Sequence, residues 1–186
     1  SEQWAGAFIS DRWGINDRWS LESQGRVDWY SETQTDWAAR LALIHDLTGD
    51  SKHTLRLAAA RSFRTPQYAL RELATQRIPL PSPPAPPGLF GLNLIPAKDL
   101  KNEQIYSVEL GYTGKLSDEL TLRIDAYAQH YENLTGSVLL PEPAPAVGRN
   151  FFTVANVGDA DAYGLETELA YELERLSLKA WYAFNN

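Results

Sequence analysis

A chain of 186 residues with a formal net charge of −7 spreads its 17 lysines and arginines along its length, which excludes the concentrated basic surface that nucleic-acid binding needs. Cysteine is absent, so a disulfide framework, a thiolate metal site and a cysteine nucleophile are excluded too. No stretch approaches the roughly 20 apolar residues of a membrane helix, a test that a β-barrel escapes because only every second strand residue faces lipid.

Read in chain order, the sequence is a series of period-two runs. The first, Gln3–Trp13, alternates least clearly and ends at a short polar turn, Ile15-Asn16-Asp17. Arg18–Trp29 is the cleanest: Trp19, Leu21, Val27 and Trp29 fall on one face, and Arg18, Glu22, Gln24, Arg26 and Asp28 on the other. Asp36–Leu47 places Trp37, Ala39, Leu41 and Leu43 together, and the Thr48–Lys52 turn leads into Thr54–Phe63 with Leu55, Leu57 and Ala59. Tyr106, Val108, Leu110 and Tyr112 alternate with Ser107, Glu109, Gly111 and Thr113. After Leu116-Ser117-Asp118, Leu120, Leu122, Ile124, Ala126 and Ala128 alternate with Thr121, Arg123, Asp125 and Tyr127. Tyr163, Leu165, Leu169 and Tyr171 precede the Leu173-Glu174-Arg175 turn, and Leu176, Leu178, Ala180, Tyr182 and Phe184 form the last apolar face.

This predicts eight strands of about 9–13 residues, near the length that crosses a bilayer when tilted. The four short turns share one rim, and connections of roughly 5, 40 and 28 residues lie on the other. All eleven prolines fall within Pro66–Pro96 and Pro141–Pro145, outside every predicted strand, as a ladder requires. Thr65-Pro66 reads as the start of a short helix through Gln67–Arg77, followed by an extended proline-rich run. Aromatic residues near the apolar-face ends (Trp19, Trp29, Trp37, Tyr106, Tyr112, Tyr163, Tyr171) and bulky charges on the polar face (Arg26, Arg40, Arg56, Arg123) favour a membrane barrel over a soluble sandwich. The fold class expected is therefore all-β, antiparallel and up-and-down, a partial transmembrane β-barrel. Arg61 breaks the pattern by falling on the face of Leu55, Leu57 and Phe63; snorkelling or a bulge would accommodate it.

Three segments resemble the barrel of TonB-dependent outer-membrane receptors. Ala59-Ala60-Arg61-Ser62-Phe63-Arg64-Thr65-Pro66 with Glu72-Leu73 is similar to that family's strand-to-loop segment. Leu100-Lys101-Asn102-Glu103 followed by Tyr106-Ser107-Val108-Glu109-Leu110-Gly111-Tyr112 resembles another signature, with Asn102 where proline is usual. Asn156-Val157-Gly158-Asp159-Ala160-Asp161-Ala162-Tyr163-Gly164-Leu165-Glu166-Thr167-Glu168-Leu169 resembles a third. Their order and spacing fit, and together they cover most of the chain from Ala59 onward. Gly164 is expected where the strand bends, and Glu103 and Glu109 where charge is hydrated. The resemblance implies that residues 1–186 are an internal piece of such a barrel, a mature or excised segment without the plug domain or the coupling box of the intact protein.

The resemblance further implies an outer-membrane receptor for energy-coupled uptake of a scarce nutrient chelate, with iron–siderophore complexes the commonest cargo. Its partners would be outer-membrane lipid, the chelate at extracellular loops, and periplasmic TonB only through the full-length protein. The alternative is a self-contained, passive or structural eight-stranded outer-membrane barrel; a third reading, an outer-membrane hydrolase, lacks a recognisable triad. No catalytic residue, metal site or cofactor is expected. His45, His53 and His130 read as ordinary surface or interfacial histidines, and Asp159 and Asp161 as members of a solvated loop. The residues expected to touch cargo are Tyr68, Phe90, Arg149, Phe151 and Phe152 in the long connections, where aromatic faces and a guanidinium suit an anionic, ring-bearing chelate.

Overall fold

The structure, a computed structural model, describes residues 2–31, 34–67, 71, 92–95, 97, 99–140 and 150–186. The eight expected strands are present: β1 (Trp4–Asn16), β2 (Trp19–Tyr30), β3 (Asp36–Asp46), β4 (His53–Arg64), β6 (Glu103–Lys115), β7 (Leu120–Leu140), β8 (Asn150–Leu173) and β9 (Leu176–Asn185), joined by the short strand β5 (Leu92–Ile95). Consecutive long strands pair antiparallel, in the order β1-β2-β3-β4-β6-β7-β8, with β9 on the free edge of β8.

The register explains the alternation. One row across the sheet reads Trp13, Leu21, Leu43, Leu57, Leu110, Ala126, Leu165 and Phe184, each opposite the next. The row one residue away reads Arg12, Glu22, Ala42, Ala58, Glu109, Tyr127, Gly164 and Asn185. Successive strand side chains point to opposite faces, so an apolar outer face and a polar inner face follow directly. Leu57, Val108 and Leu110 are exposed on the outer face; a soluble sandwich would have buried them. The weak alternation of β1 also has a cause: Phe8 pairs with Arg26 on the polar face and is 83% exposed there.

The short turns fall where expected and share a rim, since Lys115 N donates to Lys52 O across the β3–β4 and β6–β7 turns at 2.8 Å. The β3–β4 turn needs left-handed backbone at Gly49 (φ 82) and Ser51 (φ 60). Asp46 holds it closed: its carboxylate accepts from the amides of Thr48, Gly49 and Ser51 at 3.1, 2.8 and 2.7 Å.

On the opposite rim the structure departs from the sequence reading. β7 has 21 residues and β8 has 24, about twice the length that crosses a bilayer. Their ladder runs on to Leu140 opposite Phe151, so much of the expected 28-residue connection is strand. Asp159 and Asp161 accordingly lie on β8, not in a loop. The extension is interrupted by bulges at Tyr131/Leu134 and Leu134/Thr135, where Asn133 takes φ 58. Leu92–Leu94, expected in the loose proline-rich run, instead belong to β5, which pairs parallel with Asn150–Thr153 of β8. Apart from Gln67 and Arg71, the expected helix lies outside the described residues, as does Pro79–Gly91 of the proline-rich run.

Candidate functional site

Many of the buried side chains among the described residues lie on the long-connection rim, and most of these are polar. Asp28, Asp36, Arg71, Asn102 and Glu103 are all buried there. A buried charge is costly unless paired, and each of these carboxylates has a cation. Asp28 Oδ2 lies 2.7 Å from Arg26 Nε, Asp36 Oδ1 lies 2.9 Å from Arg61 Nη2, and Glu103 is ion-paired with Arg64. Glu103 is therefore not the hydrated carboxylate expected from sequence. It also accepts from Thr135 N at 2.8 Å and from the Thr135 hydroxyl, tying β6 to the bulged part of β7.

Arg61 needs no bulge. Its strand is in continuous register with β3 and β6, and its guanidinium packs over the Trp37 ring at 4.3 Å and near the Tyr106 ring at 5.9 Å. It donates to Trp37 O as well as pairing with Asp36. Trp37 and Tyr106 thus shield the cation that the alternation pattern left unexplained.

Five attachments fix the chain between β4 and β6 onto this rim. β5 adds to β8; Ala97 and Leu100 pack with Val154. Asn156 Oδ1 accepts from Lys101 N at 2.9 Å, while its Nδ2 donates to Lys101 O at 3.2 Å and to Asn133 O at 2.6 Å. Asn102 Nδ2 donates to Asp36 Oδ2 at 3.0 Å. Arg71 is ion-paired with Glu2 before β1.

Of the residues expected to touch cargo, Tyr68, Phe90 and Arg149 lie outside the described residues. Phe151 and Phe152 belong to β8, opposite Leu140 and Leu139 on one side and beside Asn93 and Leu94 of β5 on the other. They sit on a three-stranded part of the rim, not in an irregular loop. Sequence reasoning missed the polar anchors Asp36, Asn102, Asn133 and Asn156. Asn102 had a signal, since it replaces the proline of the family pattern.

Below the rim, the inner face carries a charge-paired network. Arg56 Nη2 lies 3.5 Å from Glu109 Oε2 and 3.4 Å from Asp125 Oδ1, and Arg40 Nη2 lies 3.7 Å from Glu109 Oε2. Ala42 and Ala58 are the buried floor of this stretch, between the strands carrying these long side chains. Gly111 leaves room for it, since a Cβ there would lie 2.5 Å from Asp125 Oδ1. Gly164 does the same for Tyr127: an added Cβ would lie 2.5 Å from its hydroxyl. That is room for a side chain, where a bend was expected. His130 Nδ1 lies 2.7 Å from Asp161 Oδ1. Among the described residues no group of three or more His, Asp or Glu side chains is arranged to hold a metal ion.

A family model described as "TonB dependent receptor-like, beta-barrel" matches residues 1–186. No curated protein sequence matches the chain. Among solved structures, the siderophore receptor PirA of Pseudomonas aeruginosa superposes with a TM-score of 0.78 at 20% identity, over 99% of this chain and 34% of that one. The ferric enterobactin receptor PfeA in complex with BCV-L6 gives 0.75 at 21%, over 98% and 27%. The FrpB iron transporter of Neisseria meningitidis gives 0.66 at 14%, over 99% and 25%. The chain thus spans between a quarter and about a third of the length of these proteins.

Proposed function

Because the chain belongs to the TonB-dependent receptor-like β-barrel family, we propose that it forms part of the wall of an outer-membrane receptor that takes up a scarce nutrient chelate, an iron–siderophore complex. The single observation that carries this reading is the match over residues 1–186 together with a two-faced wall. The apolar outer row through Leu43, Leu57 and Leu110 suits lipid, and the inner network of Arg40, Arg56, Glu109 and Asp125 suits a hydrated lumen. The siderophore class is supported by the similar structures, PirA being a siderophore receptor and PfeA a ferric enterobactin receptor. Energy coupling through TonB belongs to the intact protein, and so does gated passage.

A self-contained eight-stranded barrel is less well supported. Closure would pair the first strand with the last, and no pairing of β1 with β9 is present among the described residues. The function is tested by uptake of radiolabelled ferric siderophores in iron-starved cells carrying the intact gene, its deletion, and the deletion complemented. Uptake of at least one ferric siderophore should vanish on deletion and return on complementation. Unchanged uptake across a panel of catecholate, hydroxamate and citrate-type chelates would contradict the proposal.

A further inference from the structure

Along the outer face of β7 the side chains change size in sequence: Leu122 and Ile124, then Ala126 and Ala128, then His130. Each alanine lies between larger neighbours, Ala126 between Leu110 and Leu165, and Ala128 between Val108 and Tyr163. A groove therefore runs down the outer face. Its upper part is a hollow of about 310 Å³ between the Val108–Ala128–Tyr163 row and the Tyr106–His130–Asp161 row above it. Two hydrogen bonds draw the ends of the flanking rings aside. The Tyr106 hydroxyl donates to Gln104 Oε1 at 2.9 Å, toward the rim, and the Tyr163 hydroxyl accepts from Asn186 Nδ2 at 2.6 Å, toward β9. Both β6 and β7 are paired on each edge, so the groove belongs to the wall itself and not to a sheet edge. A polar cap closes its upper end. His130 Nδ1 lies 2.7 Å from Asp161 Oδ1 and His130 Nε2 lies 3.8 Å from Glu132 Oε1, with the Asp161 side chain 82% exposed. Apolar below, aromatic at Tyr106 and Tyr163, and charged above is the order of environments along a lipid from chain to headgroup.

Taking the outer face as the lipid face, as the proposed function does, we propose that this groove seats one glycolipid of the outer leaflet. Its acyl chain lies over Ala128 and Ala126, and its sugar hydroxyls engage the His130–Asp161 pair. The leaflet follows from the rim, since the longer connections of such a barrel are extracellular. The chain gains contact with Val108 and Tyr163 on its flanks as well as with the alanine floor, which a flat wall would not give. The cap selects the headgroup. It sets carboxylate acceptors beside an imidazole donor, and a sugar hydroxyl both donates and accepts. An ammonium headgroup only donates. A bare phosphate only accepts, and it would meet Asp161 and Glu132 as like charges.

The test is native mass spectrometry of the intact receptor in detergent, titrated with diglucosyl diacylglycerol, phosphatidylethanolamine or phosphatidylglycerol carrying the same acyl chains. Each variant is first checked for a heat-modifiable barrel on an unheated gel, with Ala128→Leu as the smaller plug where tryptophan lowers the folded yield. The wild type should hold one diglucosyl lipid more tightly than either phospholipid. Ala128→Trp, which fills the groove, should weaken that binding about tenfold, the effect of excluding roughly two methylenes. Leu41→Trp, at an exposed position on the outer face of β3, should leave it unchanged. Asp161→Ala should weaken the diglucosyl lipid alone, about fivefold for one lost hydrogen bond. Equal binding of that lipid by wild type and the folded Ala128 variant, or a wild-type preference for either phospholipid, would overturn the proposal. Siderophore uptake keeps the two readings apart. Uptake that depends on the gene, together with equal lipid binding by the Ala128 variant, refutes the groove alone; uptake unchanged on deletion refutes the receptor reading.

Discussion

The Arg61 guanidinium carbon lies 4.3 Å from the centre of the Trp37 ring, and Nη2 of the same residue lies 2.9 Å from Asp36 Oδ1. An arginine on the lipid-facing side costs roughly 2–4 kcal/mol at mid-bilayer and about 0–1 near the interface. Here the aromatic face and the carboxylate replace the water it lacks. Removing Asp36 alone leaves the cation buried without its counter-ion, a change that costs about 3–5 kcal/mol. Asp36→Asn should therefore lower the denaturant midpoint of the receptor in micelles, and adding Arg61→Leu should recover part of the loss. A midpoint for Asp36→Asn equal to wild type would contradict this pairing.

Gly164 and Tyr127 form a fitted pair on the inner face. A Cβ at Gly164 would meet the Tyr127 hydroxyl at 2.5 Å and the backbone oxygen of Phe184 at 2.7 Å. Overpacking of this kind costs about 1–3 kcal/mol. Gly164→Val should reduce the yield of folded, heat-modifiable barrel, as read by its shift on an unheated gel. Tyr127→Ala in the same protein should restore only part of that yield, because the Phe184 carbonyl stays in place. Full rescue would show that the tyrosine alone sets the space.

In the β3–β4 turn, Asp50 is held at about 2, below the ordinary aspartate value, chiefly by the Thr48 hydroxyl, which donates at 2.6 Å, and then by the Lys52 amide at 3.1 Å. A depressed folded value stabilises the turn fully above the unfolded value near 3.9. That support is lost as the pH falls from about 4 through 2. Carboxyl chemical shifts of the folded protein should place the Asp50 midpoint near 2, and Thr48→Ala should raise it. A midpoint near 4 in the wild type would contradict the turn geometry.

For cargo, Arg149→Ala and Phe151→Ala should each weaken chelate binding by the intact receptor, about tenfold for loss of a charge-assisted hydrogen bond or an aromatic contact. Asp50→Ala, in a turn on the other rim, serves as the control. Titration of the purified receptor with each ferric siderophore of the uptake panel gives the affinities. Arg149→Ala and Phe151→Ala proteins that fold normally and bind like the control would remove these residues from the site.

The wall was legible in the sequence because one physical rule, lipid on one side and water on the other, imposes alternation on the stretches of strand that cross the apolar zone. The short turns were legible through Asn16, Gly49-Asp50 and Ser117, whose side chains or backbone suit tight reversals. Beyond the apolar zone both faces of β7 and β8 are freed from that rule. Tyr131–Leu140 and Asn150–Ala160 keep their ladder but lose the alternation that would announce it. β5 was hidden for a related reason: four residues carry too little periodicity, and their partner, Asn150–Thr153, is remote in sequence. The buried rim was illegible because burial of Asp36, Asn102 and Glu103 depends on pairings between distant segments. The expected cargo residues were chosen by chemistry and loop position, and only the backbone placement of Phe151 and Phe152 has been added to that choice.

The central claim, a wall with lipid on one face and water on the other, is tested most directly on β6, which has strand neighbours on both sides. The sequence contains no cysteine, so single cysteines introduced along it report without background. Cysteines at 107, 109 and 113 and at 108, 110 and 112 of the intact receptor in membranes would be treated with a membrane-impermeant and a lipid-soluble maleimide. Positions 107, 109 and 113 should react with the impermeant reagent, and 108, 110 and 112 with the lipid-soluble one, in strict alternation. Equal reactivity of Ser107→Cys and Val108→Cys toward the impermeant reagent would contradict a lipid-facing outer surface, and with it the reading of this chain as a membrane barrel wall.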